Sequence, residues 1–198
     1  MRYKITSLAA LVGGILVLVG CADGGETTST VPTPTESPAR QSFNDADVTF
    51  AQQMIPHHEQ AIDMALVAQE RAENDQVREL AAAIEEAQGP EIATMTGWLE
   101  AWDEDVPAET GGMDHGGMST EDMPGMMSDQ EMDDLAAMSG ATFDQMFLTM
   151  MIAHHEGAIE MARTEQADGE NPEAIALAEK IEADQAAEID TMRGLLGS

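Results

Sequence analysis

The chain contains the same stretch of sequence twice, and this repeat limits its fold more than any other feature. The residues MIPHHEQAIDMA, which begin at Met54, return as MIAHHEGAIEMA from Met151, 97 residues later. Over the 50 positions from Phe50 to Leu99, 24 residues are identical to their partner 97 residues on. A repeat of this length indicates two copies of one supersecondary unit, so a site on one copy should recur on the other. Four of the five histidines lie in the two copies, which makes them the first place to look for chemistry.

Each copy reads as two helices joined by a short turn. Asn74 and Asn171 occupy equivalent positions and are typical N-cap residues, and Pro172 stands where proline fits the first turn of a helix. These signals predict four helices, over about 44–72, 75–102, 142–168 and 172–196. The predicted fold is all-α: a four-helix bundle of two duplicated helical hairpins, residues 43–102 and 140–198, joined by a long Met-rich crossover loop, residues 103–139.

The first 42 residues read as an export and anchoring segment. Arg2 and Lys4 precede an apolar run that is too short to span a bilayer, so residues 1–20 are predicted to be a signal peptide. The Leu-Val-Gly before Cys21 resembles the bacterial lipobox, which implies that Cys21 is lipidated; a plain export signal is the alternative. Residues 21–42 are rich in Thr, Ser and Pro and are predicted to form a flexible tether. We therefore expect an extracytoplasmic domain, residues 43–198, anchored to the bacterial cell membrane.

Acidic residues dominate the predicted mature protein. Without residues 1–20 it has 38 Asp and Glu against 6 Lys and Arg, a formal charge of −32. This charge disfavours nucleic acid and anionic lipid surfaces as partners and favours cations. Most of these acids are expected to form a solvated surface, so the charge alone does not predict a metal site.

Helical geometry separates the two histidines of each repeated motif. At about 100° per residue, the second histidine of each motif lies on the stripe that faces the core, with the methionine four residues before it: His58 and His155, Met54 and Met151. The first histidine of each motif, His57 or His154, falls at the edge of the stripe. The glutamate that follows the two histidines is expected to face solvent.

Polar residues on the second helix of each hairpin should face these histidines. Gln88 and Glu91 lie on an otherwise apolar stripe, where an unpaired polar side chain would be costly. The short turn predicts that His58 shares a layer with Glu91, and the repeat predicts the same for His155 and Glu188. Met95 and Met192 lie about one turn from the histidines. The methionine layers of the two hairpins coincide only if the first helices of the hairpins run parallel, which the sequence leaves open.

This combination of donors predicts a transition-metal site. Imidazole with thioether sulfur suits copper, above all Cu(I), whereas imidazole with carboxylate suits zinc, iron, manganese or Cu(II). The candidate ligands are therefore the histidines, methionines and glutamates of the two inward layers: His57, His58, His154, His155, Met54, Met151, Met95, Met192, Glu91 and Glu188. A buried His–Glu hydrogen-bond network with methionines as ordinary packing is the alternative.

The crossover adds a second group of candidate ligands. Methionines among Gly, Ser and Asp are expected to have no core to pack on, and Met-x-His-x-x-Met resembles the methionine-rich copper-binding segments of extracytoplasmic copper-handling proteins. The resemblance implies that the loop captures metal through Met113, His115, Met118, Met123, Met126 and Met127. A linker of unusual composition is the alternative.

The doubled His-His-Glu motif, the Met-Pro-Gly-Met-Met segment and Phe-Asp-Gln-Met-Phe-Leu together resemble the DUF305 family of secreted bacterial proteins over about residues 43–197. The resemblance implies a ferritin-like four-helix bundle, and some members of the family are linked to copper binding and resistance outside the cytoplasm. It also implies a site at His57, His58, His154 and His155.

Three functions follow as hypotheses. The leading one is a lipid-anchored extracytoplasmic protein that binds copper and either buffers it or passes it to an unidentified protein partner. A ferritin-like di-metal oxidase would need Glu-x-x-His on two helices, whereas Gln88-x-x-Glu91 and Gln185-x-x-Glu188 stand at this level, so an enzyme is not expected. The third hypothesis is a metal-free structural or partner-binding lipoprotein.

Overall fold

The chain forms an all-helical bundle in a computed structural model that describes residues 42–107 and 123–197. Its helices are α1 (Asp45–Arg71), α2 (Asp75–Trp102), α3 (Asp129–Ala137), α4 (Gly140–Asp168) and α5 (Pro172–Leu196). The four long helices confirm the predicted fold class, and their ends differ from the predicted ones by at most two residues. None of the helices in the described ranges is long and apolar enough to cross a membrane.

The expectation that the whole crossover is loop is wrong for α3. Ser128 caps this nine-residue helix and forms a capping box with Glu131. The buried side chain of Leu135 attaches α3 to the apolar core of the bundle. Other predictions lie outside the described residues: the signal peptide, Cys21, and the loop residues Met113, His115 and Met118.

The two hairpins pack against each other in antiparallel orientation. Asp47, near the start of α1, accepts a hydrogen bond from the backbone N–H of Asn171, just after α4 ends (2.8 Å). Its repeat partner Asp144, near the start of α4, accepts one from the backbone N–H of Asn74, just after α1 ends (2.9 Å). Each hairpin thus binds the turn of the other in the same way, so α1 and α4 run in opposite directions. The crossover consequently connects opposite ends of the bundle.

The antiparallel arrangement separates the two methionine layers. Met54 and Met95 belong to one buried apolar cluster, and Met151 and Met192 belong to another. All four side chains are fully buried. Because the layers coincide only in a parallel arrangement, the structure has two methionine pairs rather than one four-methionine layer.

Candidate metal centre

Four fully buried imidazoles belong to the two central helices of the bundle. His57, His58, His154 and His155 all have an exposed fraction of 0%. His57 and His154, predicted at the edge of the stripe, are thus as buried as the inward pair. Their rings lie against each other, with centroids 3.7 Å apart and a tilt of 39°. The edge of one hairpin is the surface that packs on the other, which geometry within a single hairpin does not reveal.

The predicted histidine–glutamate pairs are present in both hairpins. His58 Nε2 lies 2.8 Å from Glu91 Oε2, and His155 Nε2 lies 2.6 Å from Glu188 Oε2. The buried Gln88 and Gln185 face inward as expected. Counting residues along the two helices from the hairpin turn therefore predicted the correct partner for each inward histidine.

Three of the histidines have their tautomer fixed by an acceptor. An ionised carboxylate or a backbone carbonyl can only accept, so the histidine nitrogen that contacts it carries the proton. This applies to Nε2 of His58, of His155, and of His57, which donates to the Pro124 carbonyl at 3.1 Å. In each of the three rings, the lone pair is therefore on Nδ1.

These lone pairs have no protein partner. Nδ1 of all four histidines is buried without a hydrogen bond, and so is Nε2 of His154. A buried polar atom without a partner costs about 1–3 kcal/mol, so several in one place call for an explanation. A histidine that donates one ring N–H to a carboxylate or carbonyl and presents the other nitrogen is the usual arrangement of a metal ligand. The residues present thus fit a metal ion.

Burial also keeps three of the four imidazoles neutral. It lowers the pKa of His57 to about 3 and, with the neighbouring histidines, lowers the pKa of His154 well below its usual value. Burial lowers the pKa of His58 as well, although the hydrogen bond to Glu91 opposes the shift. At neutral pH these three rings carry free lone pairs, so a metal ion would not have to displace a proton from them.

The carboxyl and imidazole groups alone do not form a complete coordination sphere. Within the described parts of the chain, no group of three or more His, Cys, Asp or Glu side chains is arranged to hold a metal ion. Thioethers are further candidate donors, from the buried methionines Met54 with Met95 and Met151 with Met192. Two histidines with methionine are a donor set that favours Cu(I) over zinc or iron.

Lys180 makes the two His–Glu pairs unequal, and the sequence alone did not identify this residue. Its Nζ lies 2.9 Å from Glu91 Oε1 and 2.7 Å from Asp184 Oδ2. Burial opposes ionisation of Glu91, but hydrogen bonds from His58 and Lys180 outweigh it and lower the pKa of Glu91. The repeat partner of Lys180 is Ala83, which cannot supply an ammonium to Glu188. The mismatch between Lys180 and Ala83 is the only sign of this difference in the sequence.

A short non-helical segment, residues 123–127, covers the histidines from one side, and we call it the strap. Gln60 on α1 holds the backbone of Met127 with two hydrogen bonds, accepting from its N–H (2.7 Å) and donating to its carbonyl (2.8 Å). On α4, the equivalent position is Gly157, where an added Cβ would lie 2.0 Å from the Pro124 carbonyl oxygen. Gln60 on α1 therefore binds the strap, whereas Gly157 at the equivalent position on α4 leaves room for it.

The strap corrects the expectation that the loop methionines have nothing to pack on. Met123 is buried, with 8% of its surface exposed, and Met127 packs against the core. Met126 is half-buried. Gly125 allows the strap to lie directly against the backbone of α4. Its φ is 79°, a backbone conformation that favours glycine.

Residues 47–196 match the family described as "Domain of unknown function (DUF305)". The chain belongs to the DUF305 family. No curated protein sequence matches it. Neither the DUF305 description nor the similar structures indicate a catalytic family.

Several solved structures resemble this DUF305 chain. A DUF305 protein from Streptomyces coelicolor, assigned as secreted, is 30% identical, with 77% of this chain and 92% of that chain covered and a TM-score of 0.66. A DUF305 fragment from Deinococcus radiodurans is 33% identical, with 78% and 97% covered and a TM-score of 0.68. CopM in its Cu(II)-bound form is 35% identical, with 76% and 95% covered and a TM-score of 0.64. CopM has also been crystallised in Cu(I)-bound and Ag-bound forms.

Proposed function

We propose that this DUF305 protein is a lipid-anchored, extracytoplasmic copper-binding protein that buffers copper or passes it to a partner, and so contributes to copper resistance. The observation that carries the proposal is the set of four buried histidines whose Nδ1 atoms have no protein partner. The similarity to CopM, which binds Cu(I), Cu(II) and silver, supports copper as the cargo. The DUF305 structure assigned as secreted supports a location outside the cytoplasm.

In this proposal each half of the bundle contributes one set of ligands. His58 and His155 are inner ligands, His57 and His154 add donors or control access, and thioether donors come from the methionine pairs Met54 with Met95 and Met151 with Met192. Glu91 and Glu188 orient the imidazoles, or bind directly to an oxidised ion. Mostly uncharged, soft donors of this kind favour Cu(I), although other transition metals remain within their range.

The remaining parts of the chain would bring copper to these ligands. The Met-His segment would capture the ion, Cys21 would hold the protein at the membrane through its lipid, and a protein partner would receive the copper. The strongly acidic surface raises the local concentration of cations and repels nucleic acid.

The proposal is tested on protein that lacks residues 1–21. Metal analysis and competition titrations with Cu(I) and Cu(II) chelators should show binding tighter than micromolar. The double variant His58→Ala, His155→Ala should lose it, whereas Asp63→Ala, an exposed residue of the same motif, should retain it. Absence of binding at micromolar copper would refute the proposal, and so would chelator-resistant iron with consumption of oxygen.

A metal-free structural role is the second candidate. It is favoured by the contact between the His57 and His154 rings, which lie against each other rather than apart. In that case the His–Glu pairs only fix the register of the bundle. The double variant would then unfold at lower urea concentration than the wild type, while the metal content of both would be the same and negligible.

A further inference from the structure

The complete burial of the four histidines raises the question of how an ion reaches them. All four have an exposed fraction of 0%, so some part of the protein must move before a metal ion can contact them. Moving a long helix would disrupt a large apolar interface. In the described ranges, the strap is the one non-helical segment with a hydrogen bond to any of these rings, from His57 to the Pro124 carbonyl.

Besides the packing of Met123 and Met127, a few contacts of the backbone fix the strap. Gln60 holds the Met127 backbone through two hydrogen bonds, and the Pro124 and Gly125 backbone lies against Gly157. Hydrogen bonds of this kind are worth about 0.5–1.5 kcal/mol each, far less than the packing of a helix. The strap is therefore the cover that opens at least cost.

The outer surface beside the strap suits the approach of a cation. Pro124 forms part of the wall of an open cleft of about 360 Å³ between α1 and α4. Asp45 and Glu160, both exposed, lie at this cleft, and Met161 contributes a thioether to its lining. Acidic groups at the mouth of a cleft attract cations, and a methionine can hold a soft ion on the way in.

We propose that the strap, residues 123–127, is the gate through which metal ions reach the buried histidines, and that Gln60 is its latch. The inference rests on the proposed function, because it names the route to that same site. Opening the strap removes the acceptor of His57, whose ring lies against that of His154. Gln60 acts through the strap and is a positioning residue rather than a ligand.

Two variants weaken the closed strap by different means. Gln60→Ala removes both hydrogen bonds to Met127, and Gly157→Ala places a methyl group where the Pro124 carbonyl lies. Each has a matched control: Gln69→Ala on the same helix, which loses only the hydrogen bond to Glu85, and Gly194→Ala, where an added Cβ meets nothing within 4 Å. Variants that differ from the wild type in helical content are excluded by circular dichroism.

The first measurement is the rate at which copper moves from a coloured Cu(I) chelator to the protein in a stopped-flow instrument. Loss of two hydrogen bonds predicts transfer about five- to 150-fold faster in Gln60→Ala. Gly157→Ala should also be faster, and both controls should match the wild type. Unchanged transfer rates in both variants, with copper still bound, would overturn the gate and leave the proposed function intact.

The second measurement needs no metal. Diethyl pyrocarbonate acylates accessible neutral imidazoles, and peptide mass mapping shows which histidines react. The gate predicts faster acylation of His57 and His154 in the two variants than in the controls. Equal acylation rates in all five proteins would overturn it. A wild type that binds no copper would instead refute the proposed function, while acylation would still decide whether the strap controls access.

Discussion

Replacing Glu165 with glutamine should remove a pH-dependent loss of stability at one end of the bundle. Glu165 is only 1% exposed, neither of its carboxyl oxygens has a hydrogen-bond partner, and the fully buried Asp47 lies near it. An ionised carboxylate is unfavourable when it is buried without a hydrogen bond and close to another carboxylate, so Glu165 should hold its proton. Burial and the neighbouring Asp47 charge raise the pKa of Glu165 to about 8. Burial opposes ionisation of Asp47, but the neighbouring Glu165 and hydrogen bonds from backbone N–H groups lower the pKa of Asp47.

The direction of the pH effect follows from the raised pKa. In the unfolded chain Glu165 titrates near 4.5, whereas in the folded chain it titrates near 8. Between these values the folded state binds more protons, so the contribution of this group to stability falls as the pH rises. At 1.36 kcal/mol per pKa unit the full shift would correspond to about 5 kcal/mol. Since Glu165 also lines the open cleft, where water screens its charge, we expect roughly 3 kcal/mol.

Glutamine is neutral at every pH, as the protonated glutamate is. Urea unfolding between pH 5 and 9 should therefore give similar stabilities for the wild type and Glu165→Gln at pH 5. At pH 9 the variant should be more stable by roughly 3 kcal/mol. Glu160→Gln, which removes an exposed charge from the same helix, should follow the wild type. A constant difference between the wild type and Glu165→Gln at all pH values would refute the raised pKa of Glu165.

Three further predictions concern the frame and the site. Asp144→Asn weakens the two hydrogen bonds from the Glu73 and Asn74 backbone and should reduce the free energy of unfolding in urea by about 1–2 kcal/mol. Glu91→Gln keeps the shape of the side chain but removes the charge that orients His58, so competition titration should show copper affinity lower by about 10–100-fold. Lys180→Met removes a positive charge beside Glu91 and should lower the reduction potential of bound copper in voltammetry, because Cu(II) is then stabilised more than Cu(I); an unchanged potential would show that Lys180 does not affect the site.

Helical geometry was sufficient to predict the His–Glu pair within each hairpin. The Asn74 and Asn171 caps fix where each turn lies, and helices rise by a constant amount per residue. The level of Glu91 opposite His58 therefore follows from counting residues, and the 2.8 Å contact confirms it. The repeat made this prediction more secure, because the second copy gave the same inward residues independently.

Contacts between the hairpins could not be derived in this way. The His57–His154 contact depends on which face of one hairpin meets the other, and the motif carries no signal for that choice. Asp47 and Asp144 are the residues that fix it, yet in the sequence each is only a polar residue near the start of a helix. The strap was missed for a related reason: a methionine-rich segment reads as unpacked until the surface that receives it is known.

The positions where the two copies differ explain how a symmetric frame becomes asymmetric. The bundle has twofold symmetry, but a single crossover can pass over only one of its faces. The two equivalent positions that contact the crossover are therefore free to differ, and they are Gln60 and Gly157. The change from Ala68 to Glu165 places a carboxyl pair at one end of the bundle only. Lys180 then gives one of the two identical His–Glu pairs a compensating charge. The candidate ligands are themselves duplicated, so it is the differences around them that would make one half of the bundle bind an ion before the other. A protein that both holds and releases copper needs such an order of binding.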